Sequence, residues 1–299
     1  MIAVLANPAA GRGRARAVAH GVIDALRSID ETVEFATEAR GDEARLVMEA
    51  VARGARIIVI VGGDGSVHHA ARGLLDAPAR VPVAIVAAGT GNDFVKSLDT
   101  PAHDIQAMIA RITRGHTRAV DVGLIDGVPF LNAAGLGFDV EVLERMLKPS
   151  RLSGTTAYVV TALRALLGYR GFDASLRARS VGEERIAHFT HLMTVFANGR
   201  CFGGAFRIAP EAVLDDGLLE VIDIGEVPWW KRPVLFLRAT RGTHVSSPLV
   251  RAHFGRDFSL HCHSHDHTPP AFEADGELYR ASSHVIEIGI RPRAIDFIV

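Results

Sequence analysis

The sequence predicts an α/β domain built on a parallel sheet, followed by an antiparallel β domain. Three observations carry that reading. Through about residue 120, short apolar runs alternate with stretches of helical periodicity, the pattern of a parallel sheet covered on both faces. Beyond that point strand-like runs succeed one another with few helices between them. The chain has 299 residues, about two domains at roughly 150 residues each. The expected division falls at 121–127, with no Pro/Ser-rich linker, giving domains of 1–124 and 125–285.

The elements follow in order. Ile2–Ala6 is a buried strand that ends in the turn Asn7-Pro8-Ala9-Ala10-Gly11-Arg12-Gly13. Val18, Val22, Ala25, Leu26 and Ile29 recur at helical spacing. Val33–Ala36 is a second strand, and Leu46, Val47, Ala50 and Val51 form the apolar face of a second helix. The β-branched run Ile57–Val61 is a third strand. It stops at Gly62-Gly63-Asp64-Gly65, with a helix expected from Ser66. Val83–Val86 is a fourth strand, closed by Gly89-Thr90-Gly91. Asp126-Gly127, between the runs ending at Leu124 and starting at Val128–Ala133, is a strong hairpin signal. Strands are then expected near Phe172–Arg179, Phe189–Ala197, Leu218–Ile224, Phe258–His263 and Val285–Ile290, with helices near Thr155–Leu167 and Trp229–Arg241.

Composition narrows the function classes. Lys and Arg number 33 against 34 Asp and Glu, a net charge of −1. That balance argues against a dedicated nucleic-acid binder. Only Lys96, Lys148 and Lys231 are lysines, so a phosphate grip must come from Arg or backbone N–H groups. Two cysteines, Cys201 and Cys262, and no CxxC pair favour a reducing cytosol. The N-terminus runs into a glycine turn and does not read as a signal peptide. No apolar stretch reaches the ~18 residues of a spanning helix. The expectation is a cytoplasmic protein, peripheral at a membrane.

Three glycine-rich loops each follow a strand of the first domain. Ligands of open α/β sheets bind at the carboxyl ends of strands. Glycine lets backbone approach a phosphate, and the helix N-terminus beyond each loop favours anions. One such loop is usually only a turn; three on one sheet edge are a much stronger signal. Asp64 stands among them. It either caps the helix that follows or handles a cation or a proton.

Taken together, these segments resemble the catalytic domain of the diacylglycerol kinase family, which includes bacterial soluble lipid kinases and the sphingosine and ceramide kinases. The likeness rests on Asn7-Pro8-x-x-Gly11, Gly62-Gly63-Asp64-Gly65-Ser66 and Gly89-Thr90-Gly91-Asn92-Asp93-Phe94. It continues through Asp121-Val-Gly123, Phe130-x-Asn132-x-x-Gly135-x-Gly137-Phe138-Asp139 and Asn198-Gly199 with Gly203-Gly204. It ends with Ala209-Pro210, Asp215-Asp216-Gly217-Leu218-Leu219 and Asp275-Gly276-Glu277. The resemblance implies a nucleotide-binding α/β domain of the phosphofructokinase and NAD-kinase type and a C-terminal β-sandwich, with the active site between them. It also implies that a last strand near 286–299 returns to the first domain. The implied activity is Mg²⁺-dependent transfer of phosphate from ATP to the hydroxyl of a diacylglycerol-like or long-chain-base lipid.

By the same resemblance, Asn7, Gly11, Arg12, Gly62, Gly63, Gly65, Ser66, Gly89, Thr90, Gly91 and Asn92 contact the nucleotide. Arg12, Arg14 or Arg16 neutralises phosphate charge. Asp275 is the implied general base, Asp64 and Glu277 hold or orient Mg²⁺, and Asp215 matches a second, structural Mg²⁺ position that reads equally well as a solvated turn. The sequence departs from the family at Ala10, where Ser is common, and at His68-His69, where a Glu usually stands second. The GGDG loop alone also fits an NAD-kinase-like enzyme acting on a soluble alcohol, and the His68-His69 change also fits a non-catalytic nucleotide- or lipid-binding protein. His261, His263, His265 and His267 alternate and share one face of a strand, as metal ligands or as a solvated polar edge. Trp229-Trp230-Lys231-Arg232 suits either a headgroup interface or a packed core helix. A homodimer is compatible with the sequence, though no heptad calls for one.

Overall fold

A computed structural model describes residues 1–101, 103–146, 161, 164–166, 168–180, 183–263 and 268–299. The chain divides into two compact units, Met1–Val122 with Pro292–Val299, and Gly123–Arg291.

In the first unit β1 (Ile2–Ala6), β2 (Thr32–Ala36), β3 (Ile57–Gly62) and β4 (Val83–Ala87) form a parallel sheet in the order β4-β3-β1-β2. β1, β3 and β4 are nearly continuous runs of Val, Ile, Leu and Ala because both faces are covered. Ile2, Val4, Ala6, Val59 and Val61 point to one face, where α1 (Arg14–Leu26) lays down Ala15, Ala19, Val22 and Leu26 and α5 (Ile105–Arg114) lays down Met108 and Ile112. The alternate residues face α2 (Asp42–Ala52) and α3 (Asp64–Asp76). Phe297 pairs in parallel with Val83, so the end of β15 (Val285–Ile298) joins this sheet beside β4. The strand order reverses direction between β1 and β3. Their carboxyl ends therefore flank the switch point where such sheets bind ligands.

In the second unit every described pairing is antiparallel. The order is β14 (Glu277–Arg280), β13 (Ala271–Ala274), β7 (Ala133–Gly137), β9 (Glu183–Ala197), β8 (Phe172–Ser180), β12 (Phe258–Cys262) and β15, with β10 (Leu219–Gly225) between β9 and β11 (Val250–Gly255). Strand alternation feeds two cores. Ala134, Leu136, Phe196, Val221 and Phe272 enter one; Ala133, Val195, Ala197 and Ile222 enter the other, with Phe138 of α6 (Phe138–Met146) and Leu235 of the helix Arg232–Ala239.

Two expectations change in detail. Val128–Ala133 is not one strand but β6 (Val128–Phe130) and β7 (Ala133–Gly137). The break arises because the N–H groups of Leu131, Asn132 and Ala133 donate to the Asp275 carboxylate. The helix expected near Trp229–Arg241 runs only from Arg232 to Ala239. Pro233 sits in its first turn, where a missing N–H costs nothing, and Trp229–Lys231 form the turn before it. Most of the helix expected at Thr155–Leu167 lies outside the described residues; 161 and 164–166 are helical.

Candidate active site

The three glycine-rich loops meet at the carboxyl edge of the first unit's sheet. Backbone bonds join them: Asn7 N–H donates to Val61 O at 3.1 Å, and Ala88 N–H to Gly62 O at 2.8 Å. The loops touch main chain to main chain. A Cβ on Gly89 would lie 2.6 Å from Gly63 Cα, and one on Gly11, whose φ is +58°, would lie 2.1 Å from Ala88 O. No side chain fits at either position, which explains glycine there. At this rim the three loops lie backbone against backbone.

The residues expected to contact the nucleotide lie on these three loops. Gly11 and Arg12 lie in a 3-10 turn after β1, Ala10–Gly13, and the Arg12 side chain lies outside the described residues. Arg14 Nε donates to Gly11 O at 3.1 Å. Gly62 ends β3, Gly63 precedes α3, and Asp64, Gly65 and Ser66 form the first turn of that helix. Thr90 is exposed at the tip of the third loop, between Gly89 and Gly91. Asn92 is left-handed at φ +51°, and its Nδ2 donates to Gly89 O at 3.1 Å. Its Oδ1 is buried without a hydrogen-bond partner. Beside it Thr90, Asn92, Val95, Lys96, Pro101 and His103 border a cavity of about 530 Å³.

Asp64 does not cap α3. Gly63 holds the capping position, with no side-chain cap. The Asp64 Oδ1 instead accepts from Phe94 N–H at 3.3 Å, and its Oδ2 stands 2.8 Å from where a Gly91 Cβ would be. The carboxylate thus points from the second loop to the third.

Behind the rim lies Glu43, which no sequence motif singles out. Glu43 is only 2% exposed, and Asn7 Nδ2 donates both to its Oε1 at 3.3 Å and to Ser66 Oγ at 3.1 Å. Glu43 links the first two loops from the opening turn of α2, and burial raises its carboxyl above the ordinary range. No local pattern marks it, since Asp42-Glu43 reads as an ordinary acidic first turn. Burial, with His68 and Arg40 nearby, brings the His69 imidazole down to about 4, so the ring is neutral at pH 7.

In the second unit Asp275 and Gly276, at φ +51° and +85°, make the tight turn between β13 (Ala271–Ala274) and β14 (Glu277–Arg280). The Asp275 carboxylate accepts three backbone N–H bonds, from Leu131, Asn132 and Ala133, at 2.9, 2.8 and 3.2 Å. Glu273, fully buried, accepts from Gly276 N–H at 2.8 Å and braces the same turn. Glu277 opens β14, one residue past the turn. Asp215 lies in a different turn, just before β10, where Asp216 accepts from Leu218 N–H.

Among the described residues no three Asp, Glu, His or Cys side chains gather into a metal cage. The donor chemistry nevertheless suits Mg²⁺, which is usually held by one or two carboxylates and the substrate's own phosphates. His261 lies on β12 (Phe258–Cys262), His263 Nε2 bonds Ser175 Oγ at 2.7 Å, and His265 and His267 lie outside the described residues.

The second unit also contains a slender apolar cavity of about 60 Å³, walled by Phe138, Leu192, Met193, Phe206, Leu235 and Phe236. Three polar side chains, Asp139, Arg232 and His244, reach it. Asp139 is buried, its Oδ1 accepts from Val140 N–H, and its Oδ2 has no hydrogen-bond partner. Burial pushes its carboxyl up to about 7.

Known proteins share this architecture. Residues 1–125 match the family model of the diacylglycerol kinase catalytic domain, and residues 132–299 match the YegS C-terminal NAD kinase beta sandwich-like domain. A diacylglycerol kinase of Mycobacterium tuberculosis is 31% identical over 268 residues, covering 87% of this chain and 85% of that protein. One from Bacillus subtilis is 26% identical over 219 residues, covering 72% and 70%. The crystal structure of a diacylglycerol kinase from Bacillus anthracis str. Sterne superposes with a TM-score of 0.72 at 18% identity, over 99% of this chain and 96% of that one, a likeness of fold. With both halves matched and a relative above 30% identity over most of its length, the chain belongs to the diacylglycerol kinase family, phosphotransferases with an alcohol acceptor.

Proposed function

We propose that this protein transfers the γ-phosphate of ATP, with Mg²⁺, to a hydroxyl of a diacylglycerol-like or long-chain-base lipid. The observation that carries the reading is the rim of glycine loops, packed main chain to main chain, with Asp64 aimed across it. Phosphoryl transfer demands positioning and charge neutralisation more than covalent chemistry, and the rim supplies both. The amides of the Gly11, Gly63 and Gly89 loops orient phosphate oxygens, while Asn92 and the cavity beside it accept the rest of the nucleotide. Asp64 is the carboxylate on the rim that would hold Mg²⁺, which when bound would neutralise charge building on the phosphate oxygens.

Glu277 takes the proton of the acceptor hydroxyl as its oxygen bonds to the γ-phosphorus. The bond to the β–γ bridging oxygen breaks, and ADP leaves. Asp275, implied as the base by resemblance, has its oxygens bonded to three N–H groups and serves in this reading to hold the turn that presents Glu277. The apolar cavity of the second unit suits hydrocarbon, and it supports a lipid acceptor that meets the enzyme at a membrane.

The test is substitution. Asp64→Asn and Glu277→Gln each lower phosphate transfer about 100-fold or more and leave the circular dichroism unchanged. Asp275→Asn lowers stability as well, because its three N–H partners lose a charged acceptor. A folded Glu277→Gln variant with wild-type turnover refutes the assignment of the base.

A further inference from the structure

The four most exposed large apolar side chains among the described residues fall within nine positions: Trp229 at 63%, Trp230 at 60%, Val234 at 61% and Leu237 at 58%. Val234 and Leu237 stand three apart on the helix Arg232–Ala239 and so share a face. The two tryptophans occupy the turn that leads into it. Scattered exposed apolar residues are ordinary, but a cluster of this kind marks an interaction surface. The opposite side of the same helix, Leu235, Phe236 and Ala239, walls the apolar cavity.

Charge tells what covers this face. Between Glu226 and Asp257 the chain has no acidic residue, yet Lys231, Arg241, Arg251 and Arg256 are exposed there and Arg238 is half-buried. In a chain with 34 acids in 299 residues, that gap leaves the surface basic. The Lys231 Nζ sits 5.0 Å from the centre of the Trp230 ring, which places its charge beside the aromatic ring. Exposed Trp next to Lys and Arg is the composition of a bilayer's headgroup layer, where the ring meets both hydrocarbon and water and the cations meet anionic lipid. A two-fold contact between copies would bring like charges together, with no acid in the segment to answer them.

We propose that Trp229, Trp230, Val234 and Leu237 form a docking face for an anionic phospholipid surface, with the apolar cavity behind the same helix. The proposal rests on the lipid-kinase reading for its purpose, since the acceptor resides in the bilayer. The docking itself needs neither nucleotide nor turnover.

Trp229 and Trp230 are the chain's two tryptophans, so the intrinsic emission of the whole protein reports on this face. Vesicles of equal phosphatidylglycerol and phosphatidylcholine should shift that emission to shorter wavelength, and brominated lipid should quench it. Pure phosphatidylcholine vesicles should do much less, and 0.5 M salt should weaken the response. In vesicle sedimentation, a Trp229→Ala/Trp230→Ala variant should bind about tenfold more weakly, and Lys231→Glu/Arg238→Glu should lose the preference for anionic lipid. The Trp variant should phosphorylate a monodisperse short-chain diacylglycerol at the wild-type kcat/KM and fall about tenfold on the same acceptor embedded in vesicles. Emission unmoved by anionic vesicles overturns the proposal, as does a wild-type dimer that the Trp variant converts to monomer. Failure of the two ideas is distinguishable. Turnover on monodisperse acceptor without vesicle binding removes the docking face alone. Vesicle binding without turnover on any diacylglycerol upholds the docking face and removes the proposed activity.

Discussion

Asp139→Asn should flatten the dependence of stability on pH. In the folded protein Asp139 is buried, its Oδ2 lacks a hydrogen-bond partner, and desolvation raises its carboxyl from 3.8 to about 7. The folded state therefore binds its proton more tightly than the unfolded state. Between pH 4 and 7 the folded form holds more protons, so stability falls as pH rises through that window. At 1.36 kcal/mol per pH unit, full ionisation costs about 4 kcal/mol relative to the neutral acid, and roughly 2 to 3 kcal/mol of that appears between pH 5 and pH 8. Asparagine has nearly the same shape and no titrating proton. Urea unfolding followed by far-ultraviolet circular dichroism at pH 5, 6.5 and 8 gives the two slopes. The wild type should lose about 2 to 3 kcal/mol more than the variant over that range. Parallel slopes for the two proteins would refute the reasoning, whatever their absolute stabilities. Glu220, which burial also raises to about 7, contributes to both proteins and cancels in the comparison.

Two further substitutions test the scaffolding of the site and of the fold. Gly89→Ala places a Cβ 2.6 Å from Gly63 Cα and 2.8 Å from Asn92 Oδ1. Because the first neighbour is backbone, the loops must part, which costs about 1–3 kcal/mol; the KM for ATP should rise about tenfold or more, and an unchanged KM counts against the rim as the phosphate site. His191 and Asp223 are both fully buried, joined Nδ1 to Oδ1 at 2.5 Å, with Thr194 Oγ1 at 3.1 Å from both. His191→Leu leaves Asp223 buried without its imidazole partner and should destabilise the second unit by about 3 kcal/mol or more, read as a fall in the urea midpoint; a loss below 1 kcal/mol would show that the pair is not structural.

The parallel sheet was legible because its strands announce themselves locally. Ile57–Val61 is β-branched throughout and ends in Gly-Gly, and the structure begins β3 at Ile57 and ends it at Gly62. Asp126-Gly127 predicted a hairpin, and Gly123 pairs with Phe130 across it. What escaped the sequence depends on partners far along the chain. The gap between β6 and β7 exists because Asp275, more than 140 residues away, takes the N–H groups of 131–133. Glu43 reads as an ordinary acidic first turn until Asn7 and Ser66 are seen against it. Sequence alone fits Asp64 as a cap or as a site residue, and the fold decides against the cap by putting Gly63 in the capping position and Phe94 N–H on the carboxylate. The tryptophans could have been core; a proline two residues after Lys231 starts the helix late and leaves both on the surface.

The most direct test is transfer of labelled phosphate from ATP with Mg²⁺ to diacylglycerol, ceramide, sphingosine and phosphatidylglycerol in mixed micelles, with NAD as a soluble acceptor. The account predicts label on the diacylglycerol or the long-chain base, lost on chelation of the metal and absent with Asp64→Asn. Label on NAD alone, or undiminished transfer by a folded Asp64→Asn variant, would contradict it.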